Sequence, residues 1–137
     1  MIWTKFLFPP KYPKIYVTID IHGTILKPTF STDLSTRFYP FSKKVLQDLS
    51  KDPKYVLILW SSSRPSDLMA YLKTFRENGI VFDYLGENPE ATNTEYAYFD
   101  KKHYTDIGLD DKFGFSPTIE WPLIWLVRKV ITLIYDK

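Results

Sequence analysis

The run Ile15-Tyr16-Val17-Thr18-Ile19, followed at once by Asp20-Ile21-His22-Gly23-Thr24-Ile25, restricts the possible folds more than any other stretch. Ile15, Val17 and Ile19 alternate with Tyr16 and Thr18, and all five are β-branched or aromatic, so the run favours a pleated, largely buried strand. Asp20 then stands at the carboxyl end of that strand, where open parallel sheets place their ligand crevices. Gly23 lets the backbone turn tightly or approach a bound group. On its own, this stretch reads equally well as a strand with a polar turn or as a catalytic loop; the remainder of the chain decides.

Tyr55 to Trp60 is a continuous apolar run too short for a helix, and it reads as a second strand buried on both faces, with Ser61, Ser62 and Ser63 at its carboxyl end. Between the two strands, Lys27 to Pro40 suits a loop or short flap, and Phe41, Val45, Leu46 and Leu49 then recur at helical spacing. That helix should stop near Lys51 to Pro53, because the residue before a proline avoids helical angles. A further helix is expected from Ser66, which can act as its cap, through Leu68, Met69, Leu72 and Phe75 to a stop at Gly79. Ile80 to Leu85 reads as a third strand, Gly86 to Thr94 as a polar loop, and Ile107-Gly108-Leu109 as a fourth strand ending on Asp110-Asp111. A last helix is expected over residues 121–135, with Pro122 in its first turn. Pro9, Pro10 and Pro13 make residues 1–14 an extended lead-in.

This alternation predicts an α/β architecture: a three-layer, Rossmann-like parallel sheet of order 3-2-1-4 with helices on both faces, in one domain over residues 1–137. At 137 residues the chain has the commonest domain size and can bury a sizeable core. A net charge of +2 gives no strong nucleic-acid signal, and the absence of cysteine excludes disulfides and thiolate metal sites. The two histidines, His22 and His103, cannot build a zinc site without carboxylates. No stretch has the uninterrupted apolar length of a transmembrane segment and the start does not read as a secretion signal, so a cytoplasmic location is the default expectation.

Asp20, Ser61, Lys102 and Asp110-Asp111 all lie just beyond strand ends or in the loop before one. Strand order 3-2-1-4 would bring Asp20 to face Asp110 across the crevice between the first and fourth strands. Two such carboxylates repel unless a cation separates them, and a hard, oxygen-ligated ion such as magnesium (Mg2+) suits them. A carboxylate beside such an ion, with a lysine and a hydroxyl nearby, is equipped for phosphoryl transfer.

Asp20-Ile21-His22-Gly23-Thr24 resembles the first motif, Asp-x-Asp-Gly-Thr, of the haloacid dehalogenase-like (HAD) phosphatase superfamily. Trp60-Ser61 is similar to its second motif, Lys102 to its third, and Ile107 to Asp111 to its fourth, in the family's order. The resemblance implies a magnesium-dependent phosphomonoester hydrolase working through an aspartyl-phosphate intermediate. Asp20 would be nucleophile and metal ligand, the His22 carbonyl a second ligand, Asp110 the main acidic ligand and Asp111 an outer partner or alternate ligand. Ser61 would hold a phosphoryl oxygen, helped by Gly23, Thr24 and Ser62, and Lys102, chosen over Lys101, would bridge phosphate and nucleophile. His22 departs from the motif, since the family places there an aspartate that protonates the leaving group; histidine can do acid–base work near neutral pH.

The segments after the first motif and the third strand are short, which implies a capless member with an open site. A phosphorylated small molecule, a nucleotide or a macromolecular end would fit such a site. Two rival readings are a catalytically weak or inactive phosphate-binding and interaction module, and a small metal-dependent nuclease. Arg64 and His103 read as surface residues, and Tyr84, Tyr96, Tyr98 and Tyr104 as core or rim rather than base-stacking groups. Trp121, Trp125, Leu126, Val130 and Leu133 make the last helix apolar over much of its circumference, with sheet packing as the main reading and a homodimer or membrane-surface contact as the second.

Overall fold

The computed structural model describes residues 1–9, 11, 13–29, 33–93 and 102–135. Pro10, Thr94, Tyr96, Tyr98 and Lys101, named above, lie outside the described residues.

Among the described residues four parallel strands, β1 (Ile15–Ile19), β2 (Tyr55–Leu59), β3 (Tyr84–Leu85) and β4 (Ile107–Leu109), form one sheet in the order β3-β2-β1-β4. The helices are α1 (Thr4–Leu7), α2 (Ser42–Lys51), α3 (Pro65–Glu77) and α4 (Pro117–Tyr135). This is the sheet order expected from the sequence. Ile19 pairs with both Leu59 and Leu109, so the three longest strands end level, and the next residue of each, Asp20, Trp60 and Asp110, shares one row. Hydrogen bonds from Asp20 N to Leu109 O (3.0 Å) and from Trp60 N to Ile19 O (2.9 Å) close that row.

The period of two divides the sheet into unlike faces. Ile15, Val17, Ile19, Tyr55, Leu57, Leu59, Ile107 and Leu109 join one buried cluster, together with side chains from all four helices. On the other face, Tyr16 meets Tyr104 edge-on at 5.7 Å, and Thr18 bonds to His103 and Thr105. Among the described residues, then, this second face is roofed by the connection between β3 and β4 and not by a helix. The bond from Lys14 Nζ to Glu90 (2.7 Å) and the Tyr84 and Tyr16 hydroxyls on the same carboxylate anchor that connection.

Several boundaries differ from the sequence expectations. The lead-in is helical over Thr4–Leu7, because Phe6 is fully buried and stacks on Tyr55 at 6.0 Å. The third strand is only Tyr84–Leu85, since the Asp83 carboxylate, and not a backbone carbonyl, accepts the Leu57 N–H (2.8 Å). Asp106 does the same for Tyr16 N (2.9 Å) ahead of β4. Helix α3 starts on Pro65 with Arg64 at its cap, and Ser66 lies inside it. Helix α4 begins at Pro117, not Trp121, which puts Pro122 inside the helix; buried Glu120 accepts from Ser116 N (2.8 Å) and secures the earlier start. Arg128 of α4 bonds Asp48 (2.7 Å) and Asp52 (2.9 Å), tying α4 to the end of α2. Among the described residues no helix is long and apolar enough to cross a membrane.

Candidate functional site

The loop that follows β1 is wound about a single carbonyl. Ile21 O accepts the amides of Thr24, Ile25 and Leu26, and Gly23 N donates to Leu26 O (2.8 Å). Buried Ile21, Ile25 and Leu26 root this coil in the core, leaving Asp20 at its entrance. Gly23 has φ +77°, and a Cβ there would lie 2.6 Å from Asp111 Oδ2, so both its backbone and the approach of Asp111 require glycine. Fully buried Thr24 completes the joint: its hydroxyl accepts Asp111 N (3.1 Å) and faces Asp111 Oδ1 (3.4 Å), while its carbonyl accepts the indole N–H of Trp121 (2.7 Å).

Across β1 and β4, Asp20, Asp110 and Asp111 each offer a carboxylate oxygen within 4.8 Å of the others. Oxygens sharing one hard cation at about 2.1–2.5 Å sit up to roughly 4–5 Å apart, so the spacing fits a divalent ion. Charge supports the same fit. Burial first, then the Asp110 charge, with a smaller push from Asp111, raise the Asp20 carboxyl from 3.8 to about 6, against the Ile21 backbone hydrogen bond and Lys112. Among the described residues the ion pairs lie elsewhere, at Lys14–Glu90 and at Arg128 with Asp48 and Asp52. Asp110 Oδ1 also accepts Lys112 N (3.0 Å), which caps the 3-10 turn over Asp111–Phe113.

A cleft of about 520 Å³ opens from these carboxylates along the roofed face, lined by Thr18, Asp20, Trp60, Lys102, His103, Thr105, Gly108, Leu109, Asp110 and Phe113. Thus Asp20, Asp110 and Lys102, distant in sequence, share one cavity. The other residues singled out from the sequence are differently placed. His22 is half-buried, its Nε2 2.9 Å from the Tyr71 hydroxyl and its ring edge-on to Tyr71. Ser35 N also donates to that hydroxyl (2.9 Å), so Tyr71 joins His22 to the segment after β1. Ser61 Oγ is engaged with Ser63, accepting its amide (3.1 Å) and donating to its hydroxyl (3.0 Å), and Ser62 is exposed. The amides of Gly23 and Thr24 are taken up by Leu26 O and Ile21 O.

His103 is not the surface residue its sequence context suggested: it is half-buried and lines the cleft, with Nε2 2.9 Å from Thr18 Oγ1. Burial lowers its pKa below the ordinary histidine value. Trp60 and Phe113 were also not read as cleft residues. The available signal was the position of each, a large apolar side chain just past a strand end or in an acidic turn, where a helix-covered core cannot reach it.

No family model matches the chain, and no curated protein does either. A solved structure, that of a conserved protein coded by a locus from Bacteroides thetaiotaomicron, is similar over 90% of this chain and 93% of its own, with a TM-score of 0.64 at 22% identity. At that identity the likeness shows the fold: a small Rossmann-like α/β domain.

Proposed function

We propose that the protein is a divalent-metal-dependent phosphomonoester hydrolase with Asp20 as nucleophile. The observation that carries this reading is the meeting of Asp20, Asp110 and Asp111 within 4.8 Å at the level ends of β1 and β4. A bound magnesium ion would be held by Asp20, Asp110 and Asp111, with the His22 carbonyl, and would supply neutralisation of the carboxylates and of phosphoryl charge. An Asp20 carboxylate oxygen attacks phosphorus, the bond from phosphorus to the ester oxygen breaks, and the leaving alkoxide takes a proton. Water, losing a proton to the group that protonated the alkoxide, then attacks the same phosphorus, the bond to Asp20 breaks, and inorganic phosphate leaves. Lys102, in the same cleft, balances charge on the transferring group.

His22 is the proposed proton donor. As an imidazolium, His22 would give its Nδ1 proton to the leaving oxygen while its Nε2–H is held by the Tyr71 oxygen, and the neutral ring left behind could then take a proton from the attacking water. The same hydrogen bonds favour a second reading, a phosphate-binding module without turnover, because they tether both His22 and Ser61 within the fold. Assay of the purified protein with magnesium and a set of phosphomonoesters separates the two. The first reading expects turnover that His22→Asp preserves or raises and that Asp20→Asn abolishes. Phosphate binding without turnover in every variant supports the second reading and would falsify the first.

A further inference from the structure

The walls of the cleft beyond the carboxylates have no part in the hydrolysis described above, yet their chemistry is specific. Trp60 is 50% exposed although it follows a strand whose five residues are all buried, and Phe113 is 81% exposed in its turn. Neither side chain belongs to the core cluster. The His103 ring lies 5.4 Å from the Trp60 ring at an interplanar angle of 40°.

A hydrogen-bond relay fixes His103 in place. Thr105 Oγ1 lies 3.1 Å from the carbonyls of both Tyr16 and Ile107, which can only accept, so its single proton is committed there. Thr18 therefore donates to Thr105 (2.8 Å), and His103 Nε2–H donates to Thr18 (2.9 Å). The imidazole is held as a firm edge of the cleft. The floor between these rings and the carboxylates is open at Gly108, where a Cβ would meet no atom within 4 Å. The hydroxyls of Thr18 and Thr105 line that floor, and each oxygen keeps a lone pair free after the relay is made.

We propose that this cleft binds a nucleoside monophosphate, its base among Trp60, His103 and Phe113, its ribose over Thr18, Thr105 and Gly108, and its phosphate at Asp20. The placement of the phosphate rests on the phosphomonoesterase reading. The aromatic subsite rests on the cleft alone. A volume of about 520 Å³ lies within the range of small-ligand sites, and a phenyl ester, whose ring is joined directly to the phosphate oxygen, has no use for the polar floor. Stacking on an aromatic side chain strengthens base binding by roughly tenfold to a hundredfold and tolerates any base.

The test compares adenosine monophosphate, phenyl phosphate and glycerol phosphate as substrates of the wild type, Trp60→Ala and Gly108→Val. Binding of adenosine and of adenosine monophosphate is followed separately by calorimetry with magnesium present. Gly108→Val places a side chain on the open floor of an extended strand, so it blocks the subsite without straining the fold. The expected result is a kcat/KM for adenosine monophosphate at least about tenfold above that for either other ester, expressed in KM. That ratio should fall toward one in both variants, and adenosine should bind the wild type but not Gly108→Val. No preference for the nucleotide, a phenyl ester used equally well, or a preference intact in both variants overturns the proposal. Hydrolysis without preference refutes the aromatic subsite alone; adenosine binding that Gly108→Val removes, without hydrolysis of any ester, refutes the phosphatase reading alone.

Discussion

Asp20 is held at odds with its own folding stability, and the conflict is measurable. Its carboxyl is raised from 3.8 to about 6 by burial and by Asp110, so the folded protein favours the protonated form. The stability this group contributes is fully present below the unfolded value and is lost as pH rises through about 6. Asparagine mimics the neutral acid. In chelator, Asp20→Asn should therefore match the wild type near pH 4 and exceed it by about 1–2 kcal/mol above pH 7, a figure already reduced for solvent screening. Urea unfolding at a series of pH values checks this, and equal stability at every pH contradicts the charge argument. Gly23 gives a second expectation at this scale. Gly23→Ala forces both a φ of +77° and a clash with Asp111, so it should cost about 1–3 kcal/mol by thermal unfolding and weaken magnesium binding by calorimetry. The acidic pair and the glycine were legible in the sequence, because carboxylates after apolar strands have few structural uses. His103 was not, since its position depends on Thr18, which is adjacent to it only after the sheet forms.

At the scale of the element, the least legible part of the chain is its beginning. Four residues cannot sustain a helix on their own, and three nearby prolines argue for extended chain, yet α1 forms because tertiary contacts select it. The deciding partner is Glu120, fully buried in the first turn of α4. Its carboxylate accepts Trp3 N (3.1 Å) as well as Ser116 N (2.8 Å), joining the start of α1 to the start of α4. Charged acceptors of this kind contribute about 1.5–3 kcal/mol each, and their loss leaves the amides unpaired. Glu120→Ala should therefore destabilise the protein by about 3–4 kcal/mol, and Glu120→Gln by less, because the amide oxygen keeps one of the two bonds. Faster hydrogen exchange at Phe6 and Ser116 should accompany the loss. Unchanged exchange at Phe6 contradicts the proposed link. The short β3 and β4 follow the same logic: Asp83 and Asp106, just ahead of them, accept ladder amides through their side chains, and nothing in the local pattern announces that exchange.

On the scale of the whole molecule, the sheet order was legible because few connections are compatible with it. Short strand–helix–strand connections keep successive strands adjacent, and a fourth strand reached by a longer connection falls on the far side of the first. The unlike faces were not legible, since an alternating strand does not say what covers each side. That topology would make an ion bound by these carboxylates a cross-link between β1 and β4, because they belong to loops near opposite ends of the chain that touch only in the folded state. An ion that binds only the folded form stabilises it by about 2.7 kcal/mol at a hundredfold excess over Kd, which is several degrees in Tm for a domain of this size. Magnesium should therefore raise the Tm of the wild type with a logarithmic dependence on concentration. The rise should shrink strongly in Asp110→Asn and vanish when Asp20→Asn is combined with it, whereas Glu90→Gln, in the anchor of the roofing connection, should lower the baseline Tm without changing the magnesium increment. Scanning calorimetry across a magnesium series reads both quantities at once, and an increment that survives loss of the two aspartates places any bound ion outside the site between β1 and β4.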